Sequence, residues 1–114
     1  MTPRLKSEIW VHAFLRRLAV EGKNGAVLAK GNAEAGAIHV IVNHLDGTHD
    51  LFAPPPGPAT DEEGERHFEK INAAPMSWPE ARDWIERRRR SDSDIWVVEA
   101  EDRNGMAGLK IAAS

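Results

Sequence analysis

The residues from Trp78 to Asp102 constrain the fold more than any others. A charge-laced helix pattern runs through Asp92-Ser93-Asp94 into the apolar run Ile95-Trp96-Val97-Val98. Ser77 and Glu80 form a capping box at the helix start, and Pro79 sits in the first turn, where a missing N–H costs nothing. At about 100° per residue, Trp78, Ala81, Trp84 and Ile85 share one face and are the expected core contacts. The β-branched and aromatic run after the turn predicts a strand covered on both faces, or central in its sheet.

The arginines of this helix are first read as internal partners. Arg87 follows Asp83 by four residues, Arg90 follows Glu86 by four, and Arg89 follows Glu86 by three. Acid before base at that spacing is the favourable order for a helical ion pair. Arg88 falls on the apolar face, four residues after Trp84. It is expected to stack on that indole or to reach an acid elsewhere, with Glu99 and Glu101 as candidates. Those two glutamates share one strand face, and arginine-rich surroundings favour an ion-paired wall over an acid with a raised pKa.

The first helix is expected over Ser7 to Glu21, with Ser7 as cap and Gly22 as terminator. Trp10, Val11, Phe14, Leu15 and Leu18 form a broad apolar arc. Ile9, Ala13 and Val20 form a second, narrower stripe, which an outer helix does not need for its own core. Two readings of that stripe stay open: the C-terminal tail or a loop covers it, or it is a partner surface, most simply a two-fold homodimer contact.

Ala26 to Lys30 reads as a short strand, and Ala37 to Leu45 alternates Ile38, Val40 and Val42 against His39, Ile41 and Asn43. Asp46-Gly47 signals a hairpin into Leu51-Phe52, which predicts a three-stranded antiparallel meander. Pro54-Pro55-Pro56-Gly57-Pro58 stops the third strand, and residues 54–64 are expected to form an exposed, mobile, proline-rich and acidic loop. Arg66 to Ile71 suggests a fourth strand. Met106 to Ile111 suggests an edge strand or a segment lying across the first helix. The expected fold is α+β in two layers, order α-β-β-β-β-α-β, with an antiparallel sheet of four to six strands and both helices on one face.

At 114 residues the chain is expected to be a single domain over 1–114. The absence of cysteine excludes disulfides and thiolate metal sites. No apolar run approaches the roughly 20 residues of a membrane span, so no membrane partner is expected. Met1-Thr2-Pro3-Arg4-Leu5-Lys6 leads straight into a charged helix pattern, unlike a signal peptide, which points to the cytoplasm of a bacterium. A net charge of −3 with mixed signs disfavours a dedicated nucleic-acid binder.

Several segments together resemble a known family. They are Arg4-Leu5-Lys6-Ser7-Glu8-Ile9-Trp10-Val11, Leu15-Arg16-Arg17, Gly31-Asn32-Ala33-Glu34-Ala35-Gly36-Ala37-Ile38, and Arg87 to Glu99. The combination resembles a bacterial family catalogued only as domain of unknown function 1491. The family usually has Asp where Asn32 stands, and Asp-Pro-Asp where Asp92-Ser93-Asp94 stands. The resemblance implies a small cytoplasmic domain of alphaproteobacterial type and supplies no activity, substrate or catalytic residue.

The residues themselves offer few chemical constellations. His44 and His49 flank the Asp46-Gly47 turn, with Asp46 or Asp50 nearby, but a metal centre needs three or four convergent ligands. Neither a nucleophile elbow nor a phosphate-binding glycine loop is present. No catalytic residue, metal ligand or cofactor site is therefore assigned. The candidate binding residues are Arg16, Arg17, Arg88 and Arg89, which would join into one patch if both helices lay on one sheet face. The candidate interface residues are Ile9, Ala13 and Val20. A non-enzymatic binding or protein-interaction module, with a homodimer or other protein partner, is the expected function. The alternatives are a nucleic-acid accessory domain using the arginines, or an enzyme with no recognisable motif.

Overall fold

A computed structural model of the chain describes residues 5–112, so the Met1–Arg4 part of the leader discussed above lies outside the described residues. The elements in order are α1 (Ser7–Val20), β1 (Gly25–Ala29), β2 (Ile38–Asn43), β3 (His49–Ala53), β4 (Glu69–Lys70), α2 (Trp78–Ser91) and β5 (Trp96–Glu101). They build an α+β fold with a five-stranded, mostly antiparallel sheet in the order β1-β5-β2-β3-β4. One pair, β2 with β5, is parallel.

That order corrects the expected meander. β5 enters between β1 and β2, so the first two strands never pair. The apolar run predicted to need cover thus becomes the sheet's central region, with Ile95 to Val98 all buried. A second correction concerns the helices, which lie on opposite faces. Val11, Phe14 and Leu18 of α1 pack with Ile38, Val40, Val42, Trp96 and Val98. Ala81 and Ile85 of α2 pack with Ile41, Leu51 and Val97, the opposite parity of the same strands. The physical reason lies in β2, whose residues from Ile38 to Val42 are all buried. A strand apolar on both faces needs a helix on each side.

The turn between β1 and β2 makes room for β5. Asn32 N–H donates to the Asp94 carbonyl at 2.9 Å, and the Trp96 indole N–H donates to the Asn32 carbonyl at 2.7 Å. A Cβ on Gly31 would stand 2.2 Å from the Asp94 oxygen, and one on Gly36 would stand 2.3 Å from it. Only hydrogen fits at either position. The Asn32 side-chain oxygen accepts from Glu34 and Ala35 N–H, a task an Asp oxygen performs equally well.

The same turn starts α1, and here the expected cap is replaced. Ser7 is the first helical residue and makes no side-chain cap. Its backbone N–H donates to Glu34 O, and that of Glu8 donates to Ala33 O, so the turn's carbonyls satisfy the exposed donors. The buried Ser7 hydroxyl donates to Gly36 O at 2.6 Å and accepts from Arg66 at 3.2 Å. By contrast, the Ser77–Glu80 capping box of α2 forms as expected.

β4 is shorter than the predicted strand, and the expected sixth strand is reduced to one parallel bridge between Phe68 and Ile111. The tail instead buries Ala107 and Leu109 in the α1-side core. Residues 54–64 lead into a tight hairpin, in which Asp61 Oδ1 accepts from Glu63 and Glu65 N–H and Thr60 bridges Arg66.

Replacing Gly36 by Ala is expected to cost about 3 kcal/mol, because backbone rather than a flexible side chain blocks the added methyl. Gly47→Ala is the control. Its added carbon meets open space, leaving the positive φ of 91° as its sole penalty. Urea titrations of the two variants check the ranking, and equal losses would contradict it.

Candidate functional site

The best-formed polar cluster joins the ends of β2, β3 and β5. His44 Nδ1 lies 2.8 Å from the Asp102 carbonyl, and Nε2 lies 3.0 Å from Asp50 Oδ2. Both neighbours are acceptors when Asp50 is ionised, so both ring nitrogens donate and the ring is an imidazolium. Burial works against that charge, but the Asp50 hydrogen bond and the Asp102 carbonyl outweigh it and raise the His44 pKa. Asp50 is held below its usual range. Burial opposes this, but the bonds from His44 and Asn72, with Lys70 nearby, prevail. Asn72 ties the cluster down by donating to Asp50 and accepting from Leu51 N–H. Each group here is already engaged, so the cluster resembles a structural clamp more than a poised base.

His49 does not join His44. It is buried beside Trp78, with ring centroids 5.7 Å apart. His39 is fully buried next to Trp84, also at 5.7 Å, and neither of its ring nitrogens makes a well-formed hydrogen bond among the described residues. Burial, then the charge of Arg88, pushes the His39 pKa down to about 4, with the Ala37 carbonyl and Asp92 acting in the opposite direction. Both histidines face α2, whereas strand alternation said of His39 only that it points away from Ile38, Val40 and Val42.

The arginines stand differently from expectation. Among the described residues, none of Arg87 to Arg90 forms an ion pair, and all four are exposed. Arg82 takes the acids instead, at 3.6 Å from Asp83 and 4.0 Å from Glu86. Arg88 neither stacks on Trp84 nor reaches Glu99 or Glu101, and it lines a shallow cleft with Trp84, Arg87 and Ser91. Glu101 accepts from Asn24 rather than from an arginine, so the expected ion-paired wall is not built. Arg17 is tied to its own fold, donating to Ala107 O at 2.6 Å and lying over the Phe14 ring. Arg16 is exposed on α1. With the helices on opposite faces, Arg16 and Arg17 stand across the sheet from Arg88 and Arg89, and the single patch does not form.

Among the described residues, two apolar surfaces stand out. On α1, Ile9 is 50% exposed, Val20 is 84% exposed, and Ala13 is exposed between them. The tail reaches Arg17 and lines a cleft that includes Ala13, but it leaves Ile9 and Val20 open. The other surface was not visible in the sequence. It is a groove between edge strand β1 and α2, about 210 Å³ in volume. Ile41, Ile85 and Val97 contribute to it together with Leu28, Trp78 and Arg89. A short apolar strand was the only signal, and sequence does not say which strand ends a sheet.

Asp61, Glu63 and Glu65 place ligand oxygens within 4.8 Å of one another. The ammonium of Lys110 contacts Asp61 and Glu65, so a cation from the chain itself serves the cluster. No helix among the described residues is long and apolar enough to cross a membrane.

The two histidines predict opposite pH responses. A folded pKa near 4 means that His39 supports stability fully above about pH 6.5 and loses it as pH falls towards 4, by at most about 3 kcal/mol. His39→Leu should therefore flatten the acid limb of urea stability between pH 6.5 and 4.5. The raised pKa of His44 makes its contribution complete below about pH 6.5 and lost as pH rises through the folded value. His44→Ala should cost more at pH 5.5 than at pH 8.5, and the reverse order would refute the imidazolium assignment.

Comparison with known proteins is consistent with this geometry. The family model described as "Protein of unknown function (DUF1491)" matches residues 5–110. The solution structure of protein Atu0922 from A. tumefaciens is 39% identical, with a TM-score of 0.82, and covers 98% of each chain. The crystal structure of a DUF1491 family protein from Caulobacter crescentus is 36% identical, with a TM-score of 0.77, over 95% of this chain and 99% of that one. An NMR structure of a DUF1491 family protein from the same organism is 35% identical, with a TM-score of 0.76, over 98% and 100%. No curated protein matches. A family match over nearly the whole chain, with relatives above 30% identity sharing its fold, shows that the chain belongs to the DUF1491 family.

Proposed function

We propose that this protein is a non-enzymatic interaction module of the bacterial cytoplasm that binds a protein partner through the outer stripe of α1. One observation carries the reading: Ile9, Ala13 and Val20 are all exposed on a helix whose opposite arc already fills the core. At about 100° per residue the three fall within about 40° of one another, so they present a continuous strip. Arg16 falls on the same strip and has no ion partner among the described residues, so the partner surface should offer it an acceptor. A second copy of the chain is the simplest partner, since a two-fold contact sets the stripe against itself. The engaged state of the His44–Asp50 cluster supports a binding role over a catalytic one.

A second reading is favoured by a separate observation. Arg87 to Arg90, without ion pairs among the described residues, could hold a phosphate backbone, as in a nucleic-acid accessory domain. The net charge of −3 weighs against it.

Size exclusion with light scattering on wild type and Ile9→Asp, together with affinity capture from the native cell extract, separates the readings. The expected result is a dimer, or a captured protein, that Ile9→Asp abolishes while the variant melts like wild type. A monomer that captures no protein sensitive to Ile9→Asp would refute the α1 reading. Filter retention of DNA or RNA at low salt, lost in Arg88→Glu and Arg89→Glu, would establish the second.

A further inference from the structure

We propose that the groove between β1 and α2 is a strand-addition site for an extended, acidic-apolar peptide segment of another protein. The inference shares with the preceding section only the premise that the protein works by binding, and it concerns the opposite side of the sheet.

β1 ends the sheet, and its outer edge has no strand partner among the described residues. Such an edge presents a row of unpaired N–H and C=O groups, which chains usually blunt with charge, proline or a covering segment. The strand Gly25-Ala26-Val27-Leu28-Ala29 contains no charge and no proline, and Val27 and Leu28 are exposed. A register shift between Val27 and Ala29 sets Leu28 off the regular ladder, where it lines the groove. An added strand would pair with this edge and turn alternate side chains to the α2 side of the sheet, beside Leu28 at the mouth of the groove.

Volume decides between a small molecule and a side chain. Small-molecule pockets run from about 300 to 1,000 Å³, whereas this groove holds about 210 Å³. A groove of that size, with Leu28 and Ala29 of the edge strand in its lining, suits a side chain of a segment that lies beside β1.

Charge then selects the peptide. α2 carries five arginines against three acids, and Arg82 engages two of those acids, Asp83 and Glu86. Arg82, Glu86 and Arg89 are the charged residues lining the groove; the first two pair with each other, and Arg89 forms no ion pair among the described residues. An Asp or Glu flanking the apolar residue would reach that guanidinium. A second copy of β1 fits poorly. Two-fold pairing centred on Val27 brings Lys30 of one copy beside Asn24 and Lys23 of the other, and the strand offers no acid for Arg89.

The test pans the full chain, immobilised, against displayed random peptides of about eight residues, enough to span β1. A synthetic enriched peptide is then labelled and titrated by fluorescence anisotropy. Enriched sequences should carry apolar residues at alternate positions with a neighbouring Asp or Glu. Their Kd should rise by about tenfold or more in Leu28→Asp and in Arg89→Glu. N-methylation of alternate backbone amides should abolish binding along one edge of the peptide and spare the other, a signature that only strand addition gives. If Leu28→Asp lowers the melting temperature, exposed Arg89→Glu decides the outcome alone. The proposal is overturned if no sequence is enriched over a Leu28→Asp bait, if both variants bind as wild type does, or if N-methylation has no effect. An oligonucleotide that binds in an Arg89-dependent but Leu28-independent way, with no peptide enriched, also overturns it. With no peptide enriched, a partner lost in Ile9→Asp yet indifferent to Leu28→Asp and Arg89→Glu would leave the α1 reading standing and remove this one.

Discussion

The close seating of the Asp94–Trp96 backbone against the Gly31–Gly36 turn is the contact on which the rest of the architecture depends. Two glycines let the turn approach the Asp94 carbonyl at a distance that no side chain permits. That approach admits β5 between β1 and β2 and allows the Trp96 indole to bond the turn's own carbonyl. The turn's remaining carbonyls then satisfy the first N–H groups of α1. One hexapeptide therefore sets strand order, anchors the largest fully buried side chain and starts a helix. A sequence change there is felt in three elements together, because they share its hydrogen bonds.

Strand insertion has an energetic consequence. Once β2 and β5 lie side by side at the centre, both of their faces need apolar cover, and one helix supplies each. Each buried Val, Ile, Leu or Phe contributes about 1.5–3 kcal/mol, so the two half-cores together outweigh the unfavourable burial of His39 without a well-formed hydrogen bond among the described residues. The polar groups at the strand ends are treated differently. Asp50, Asn72 and the Asp102 carbonyl enclose His44 so that each has a partner. Chemistry that looks catalytic in a list of residues is thus consumed by holding strands together.

The surfaces proposed for binding lie on the outer side of α1 and at the rim of the α2-side core. The α1 stripe and the β1–α2 groove belong to opposite sheet faces and share no residue. Each can be disabled without touching the other, and two partners could be held at once. The arginines of α2 acquire their meaning from this arrangement. Arg82 neutralises the acids expected to serve Arg87, Arg89 and Arg90, and so leaves the helix's basic end without ion pairs among the described residues.

Local signals were legible because their causes are local. The capping box at Ser77 and Glu80, the turn at Asp92 to Asp94, the apolar arc of α1 and the need for cover around Ile95 to Val98 follow from residues within a few positions of one another. Family membership was legible for the same reason, since it rests on short segments. Long-range relations were not. Nothing near Gly31 reveals that a strand more than sixty residues later will lie against it. Ser7 looks like an ordinary cap until Glu34 and Gly36 arrive from another turn. Nor does helix spacing say which of two arginines will claim an acid, because Arg82 and Arg90 are equally distant from Glu86 in sequence and only packing and rotamers choose between them. The sequence by itself determined which segments would be the two helices and the four longer strands, since dihedral preference and hydrophobic period act over a few residues. Only the tertiary structure decided strand order, the face each helix covers and which surfaces stay open, because those follow from how distant segments fill the same space.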